Sequence, residues 1–151
     1  MKPSPDSSVG NAGPAPHIEE SGDYSAGVID HFMSPRNAGI LQDAELEGAA
    51  GTPGQGPHVV MYVKLLREAD AGDRAIIADI RFRTWGCPAA IASCSKLTEM
   101  VKGRSVEGAL RVEWGEVLSA LGGLPLGKHH CPKLAVTALR NALKHVTEPG
   151  L

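Results

Sequence analysis

Apolar residues recur along this chain in several patterns, and each pattern predicts a different element. Tyr24, Val28, Ile29 and Phe32 fall at helical spacing, with Asp23 as N-cap ahead of them and Pro35 as a stop behind. The stretch DAELEGAA, Asp43 to Ala50, predicts a short strand. GTPGQGP, Gly51 to Pro57, is a loop, since no regular element tolerates that density of glycine and proline. HVVMYVKLL is β-branched and apolar and predicts a strand, and READAGDR predicts a turn. AIIADIRFRTW then alternates, with Ala78, Ile80, Phe82 and Thr84 on one face and Asp79, Arg81 and Arg83 on the other. That is the period of a half-buried antiparallel strand.

After TWGC the period lengthens. Ile91, Cys94, Thr98 and Val101 lie on one helical face, and Gly103 is the C-cap glycine. Ser105 starts a short helix and Trp114 to Leu121 forms another. GGLPLGK is a loop, and Leu134, Ala138, Leu139, Ala142 and Val146 mark a last helix from Pro132. A helix, then strands, then helices predicts an α+β fold, a small antiparallel sheet of about three strands with helices packed on one face. The Pro-, Ser- and Gly-rich residues 1–22 read as a disordered tail, 23–147 as one domain, and 148–151 as a short C-terminal tail.

The composition narrows the class. The chain has 151 residues, enough for one domain with a real core. Aromatics are only 4% of residues, so aliphatic side chains must fill the interior. A net charge of −2 argues against nucleic acid or an anionic membrane as partner, because both select basic faces. The longest apolar run, Val59 to Val63, is far short of the roughly 20 residues that span a bilayer. Three cysteines make no disulfide framework, and the N-terminus carries no apolar signal segment. The expected setting is the cytoplasm with reduced thiols, where grouped Cys and His residues point to metal or thiol chemistry.

Two of those cysteines share one local design. Cys87-Pro88 and Cys131-Pro132 each precede a helical pattern. Proline favours the first helical position because its missing N–H has no partner there. Each cysteine is thus expected at a helix N-cap, where the helix dipole and free N–H groups favour a thiolate. Thiolate is both the nucleophilic and the metal-binding form. With His130 beside Cys131, the set Cys87, His130 and Cys131 offers two sulfurs and a nitrogen, suited to zinc or an iron–sulfur cluster. Spacing alone leaves open two capping cysteines beside a solvated histidine pair. Cys94 lies on the apolar face of its helix, roughly 10 Å along the axis from Cys87, and reads as a core cysteine or a neighbour of the site. His31 and His145 read as helix-surface residues, while His58 and His129 can approach the site.

With these residues assembled, the chain resembles the IscU/NifU-type iron–sulfur cluster scaffold family. YSAGVIDHFMSPRNAG is similar to that family's opening helix and turn. FRTWGCPAAIASCSKLTEMVKGRS is similar to the segment carrying its second cysteine. LPLGKHHCPKLAVTALRNAL is similar to its chaperone-recognition loop, histidine–cysteine pair and last helix. The resemblance covers about Tyr24 to Val146. It implies a scaffold or carrier, not an enzyme, that receives sulfur from a cysteine desulfurase. Such a protein builds a labile [2Fe–2S] cluster and hands it to recipient apo-proteins, and some members bind zinc at the same ligands. It also implies an Hsp70-type chaperone contact through Leu124–Lys128, where Leu124, Pro125 and Lys128 match the family loop.

The match fails at one place. The family's first cysteine and its aspartate belong in TPGQGPHVV, where Gln55 and Pro57 stand instead. A [2Fe–2S] cluster takes four protein ligands, mostly thiolates, and Cys87, His130 and Cys131 are three. Gln55, His58, Cys94 and Lys128 are the candidates for substitute or supporting roles. Two further readings follow: a zinc- or iron-binding accessory protein of the desulfurase system, and a persulfide sulfur carrier using Cys87 or Cys131 with His130 as acid or base.

Overall fold

The computed structural model describes residues 24–67 and 74–147. The tails expected at 1–22 and 148–151, the Asp23 cap and most of the READAGDR turn lie outside the described residues. The elements are α1 (Ala26–Met33), β1 (Leu46–Gly51), β2 (His58–Arg67), β3 (Ala75–Trp85), α2 (Pro88–Val101), α3 (Val106–Leu110), α4 (Trp114–Ala120) and α5 (His130–Thr147). The strands form one antiparallel sheet in the order β1–β2–β3. α5 packs on β1 and β2, α2 packs on β3, and α1 rests on α2. This is the expected α+β layering.

The core is aliphatic, as the shortage of aromatics requires. Met61, Ile77, Ile80, Leu97, Leu139 and Leu143 are fully buried between sheet and helices. β1 and α5 approach so closely at Gly48 that an added Cβ would stand 2.2 Å from the Ala142 nitrogen. No side chain fits there, which is why a strand tolerates glycine at that point.

Four sequence expectations are corrected. α1 is capped by Ser25, whose hydroxyl accepts from the Val28 N–H and donates to the Leu121 carbonyl. β1 starts at Leu46, later than Asp43. Ala78 is exposed and does not share the inner face with Ile80 and Phe82. The register of β2 against β3 shifts between Lys64 and Leu65, so a bulge inserts one residue and reverses the alternation. Ala75 and Ile77 therefore point inward before it, and Ile80 and Phe82 after it. Finally, His31 is 5% exposed and not a surface residue. Its Nδ1 lies 2.7 Å from Ser95 Oγ and its Nε2 3.5 Å from Glu99, so it ties α1 to α2.

Candidate metal and thiol centre

The site forms where the starts of α2 and α5 meet beside one end of the sheet. Cys87 is the N-cap of α2, with extended backbone (φ −85°, ψ 175°) and proline next in the chain. That much follows the sequence reading. Cys131 does not occupy a cap. A 3₁₀ turn, Leu126–Lys128, runs through an αR residue at His129 straight into α5, which begins at His130. No extended residue separates turn from helix, so Cys131 lies in the first helical turn. Pro132 still falls where an N–H has no intrahelical partner.

His129 helps hold this junction. Its Nε2 lies 3.0 Å from the Leu124 carbonyl oxygen, and its ring packs at 5.7 Å from Trp114. No contact brings it to the sulfurs. That role depends on a folded turn and has no periodic signal in the sequence.

Cys87 Sγ and Cys131 Sγ are 3.9 Å apart, and His130 Nε2 is 3.7 Å from Cys131 Sγ. A tetrahedral zinc with bonds of about 2.3 Å to sulfur and 2.0–2.1 Å to nitrogen would set its S–S edge near ~3.8 Å and its S–N edge near ~3.6 Å. Both observed pairs match one edge of such a polyhedron. Among the described residues, however, no three His, Cys, Asp or Glu side chains already enclose a common point. Cys131 is the shared vertex of two correctly spaced pairs, and a small turn of the His130 ring would be needed to close them on one ion.

The electrostatics separate the three thiols. Cys87 is lowered to about 5 from 9.0, first by the Cys131 S–H donating to its thiolate, against an opposing cost of burial. The Ala90 N–H, the Lys128 ammonium and the Ala89 N–H add to the lowering. The sulfur makes no close capping hydrogen bond, so these N–H groups act as nearby oriented dipoles. Cys131 is pushed up by the same shared proton and by burial. The two sulfurs thus behave as a pair holding one proton, with the charge on Cys87, the more accessible partner. Cys94 is 0% exposed within the core and its thiol is pushed up by burial alone. It is a packing residue of α2.

The other candidates separate clearly. Lys128 is a partner of Cys87, whose negative charge raises the ammonium. Gln55 is exposed in the Gly51–Pro57 loop, with its N–H donating to the Thr52 carbonyl. That loop lies beside the centre: Pro57 packs against Gly86, the residue before Cys87. Gly51 (φ +91°) starts the loop where any Cβ would strike the Pro57 carbonyl oxygen. His58 is paired across the sheet with Trp85 and stacks on its ring at 5.2 Å. Arg83 also lies over that ring, at 4.7 Å. This His58–Trp85–Arg83 cluster borders the site and was not anticipated. The readable signal was the pairing of two strand ends, His58 opposite Trp85.

The NifU-like N terminal domain profile matches residues 23–148. The chain belongs to that family. Among its relatives, an iron-sulfur cluster assembly scaffold protein IscU 1 of Archaeoglobus fulgidus is 45% identical over 120 residues, 80% of this chain and 74% of that one. An iron-sulfur cluster assembly scaffold protein IscU of Aquifex aeolicus is 42% identical over 122 residues, covering 81% and 74%. The crystal structure of a nitrogen-fixing NifU-like protein (N-terminal) from Brucella abortus has the same fold, with a TM-score of 0.62 at 17% identity, covering 87% of this chain and 99% of that one. No helix of the described residues is long and apolar enough to cross a membrane.

Proposed function

We propose that this protein serves iron–sulfur cluster assembly, taking iron and sulfur as cargo at Cys87, His130 and Cys131 within a domain spanning residues 23–147. The observation that carries the reading is the pair of donor distances meeting at Cys131, 3.9 Å to Cys87 and 3.7 Å to His130. Membership of a family whose relatives bear the name of cluster scaffolds supports it. Cargo held by three protein ligands leaves one coordination position to a small thiol, a second chain or a recipient protein. Such a site suits release more than retention. The expected partners are a cysteine desulfurase as sulfur source and apo-proteins as recipients. Leu126, 85% exposed on the turn ahead of Lys128, is a suitable hold for an Hsp70-type chaperone.

The test is anaerobic reconstitution with cysteine desulfurase, cysteine and ferrous iron. The reading expects the visible absorption of a [2Fe–2S] cluster in the wild type and its loss in Cys87→Ser and Cys131→Ser. A colourless wild type would sink it. One observation favours a second reading, a zinc- or iron-binding accessory protein that builds no cluster: the loop position beside Cys87 carries Gln55, a neutral amide. Under that reading the wild type stays colourless yet binds metal, and both serine variants lose it.

A further inference from the structure

Cluster assembly needs sulfide, whereas a desulfurase supplies sulfane sulfur, which is two electrons more oxidised. The arrangement of the two cysteines bears on that gap. Cys87 is partly exposed at a helix start, open to a donor. Cys131 is 1% exposed and lies 3.9 Å behind it, sulfur to sulfur. His130 Nε2 is 3.7 Å from the Cys131 sulfur. Accessible acceptor, buried resolver and adjacent base stand in line.

We propose that this pair reduces persulfide sulfur to sulfide, with Cys87 as acceptor and Cys131 as resolving thiol. In the first step the Cys87 thiolate attacks the terminal sulfur of a protein persulfide donor. A Cys87–S–SH persulfide forms and the donor leaves as its thiolate. In the second step the Cys131 thiol gives its proton to His130 Nε2 and its sulfur attacks Cys87 Sγ. The Cys87–Cys131 disulfide bond forms, the bond from Cys87 Sγ to the outer sulfur breaks, and HS⁻ departs with the proton from His130. The outer sulfur gains two electrons, and the two cysteine sulfurs are oxidised to the disulfide. A dithiol reductant resets the chain for another round. The attacked atom is the one already 3.9 Å away. Cys94, sealed in the core, takes no part.

This inference rests on the sulfur-accepting side of the reading above, and one experiment separates the two. Chelator-treated, reduced protein is mixed anaerobically with a cysteine desulfurase preloaded as its persulfide and freed of cysteine. No other thiol is present. The expected result is one sulfide released per chain, an intact mass lighter by two hydrogens, and a Cys87–Cys131 cross-linked peptide. Cys131→Ser and Cys131→Ala should stop heavier by one sulfur on Cys87 and release no sulfide, while Cys94→Ala should behave as wild type. A wild-type chain that takes no sulfur on Cys87, or keeps a stable persulfide there, overturns the proposal, as does equal sulfide release by the Cys131 variants. A parallel sample receives ferrous iron and inorganic sulfide. Cluster absorption there without sulfide release in the first sample overturns this inference and leaves the assembly reading standing. Sulfide release without cluster does the reverse.

Discussion

The charge on Cys87 predicts an unusual pH profile. Only thiolate attacks, so an ordinary thiol with a pKa of 9.0 gains reactivity about tenfold per pH unit up to that value. Cys87, lowered to about 5, is deprotonated throughout the neutral range. At pH 7 its thiolate fraction is about 99%, against about 1% for the ordinary thiol, a gain of roughly 100-fold. The intrinsic nucleophilicity of the less basic thiolate falls by about 40- to 100-fold over four units, with a Brønsted slope of ~0.4–0.5. The two effects nearly cancel at pH 7, so a single rate there decides nothing. The shape decides. With metal-free protein and 4,4′-dithiodipyridine, the second-order rate should stay flat from about pH 6.5 to 9 and fall as pH drops through about 5. Follow-up attack by Cys131 is first order and leaves that rate untouched. Lys128→Ala removes a nearby positive charge and should move the midpoint upward. A wild-type rate that climbs tenfold per unit through pH 8 would refute the thiolate assignment.

Three further outcomes follow from the fold and the site loop. Gly48→Ala forces a Cβ into the α5 backbone and should cost about 3 kcal/mol, lowering Tm by roughly 10 °C in thermal unfolding; an unchanged Tm would show that β1 and α5 can separate freely. His31 has its pKa lowered by burial first and by Arg36 second, against the raising influence of Glu99 and Asp30. Its neutral form therefore stabilises the fold fully above the unfolded value of 6.5, and that stability declines as pH falls below it. Denaturant unfolding at pH 7 and 5.5 should show this slope in wild type and a weaker one in His31→Asn; equal slopes would remove His31 as the cause. Gln55→Cys places a thiol in the loop beside Gly86 and should tighten zinc binding measured by chelator competition, an effect that Cys131→Ser should largely abolish. If the loop cysteine changes nothing, the Gly51–Pro57 loop does not face the metal donors.

Much of this architecture was legible along the chain because it is local. Alternation, helical spacing and proline positions reflect backbone geometry within a few residues, and they located β2, β3, α2 and α5 and placed Cys87 at a cap. The same local rules misplaced Cys131. A preceding 3₁₀ turn can feed a helix without any extended residue, and nothing in HHCP distinguishes that start from a capped one. They misjudged Ala78, since a bulge depends on how one strand registers against its neighbour. His31 looked solvent-facing because its partners, Ser95 and Glu99, come from a helix more than sixty residues away. The chemical inventory, two sulfurs, a histidine nitrogen and a missing fourth donor at Gln55, was determined by the sequence itself. Only the tertiary structure decided that Cys87 is the accessible member, that Cys131 is buried 3.9 Å behind it, and that Lys128 sits on the charged sulfur. Distance, burial and field come from packing two helix starts against one sheet end, and no spacing along the chain encodes them.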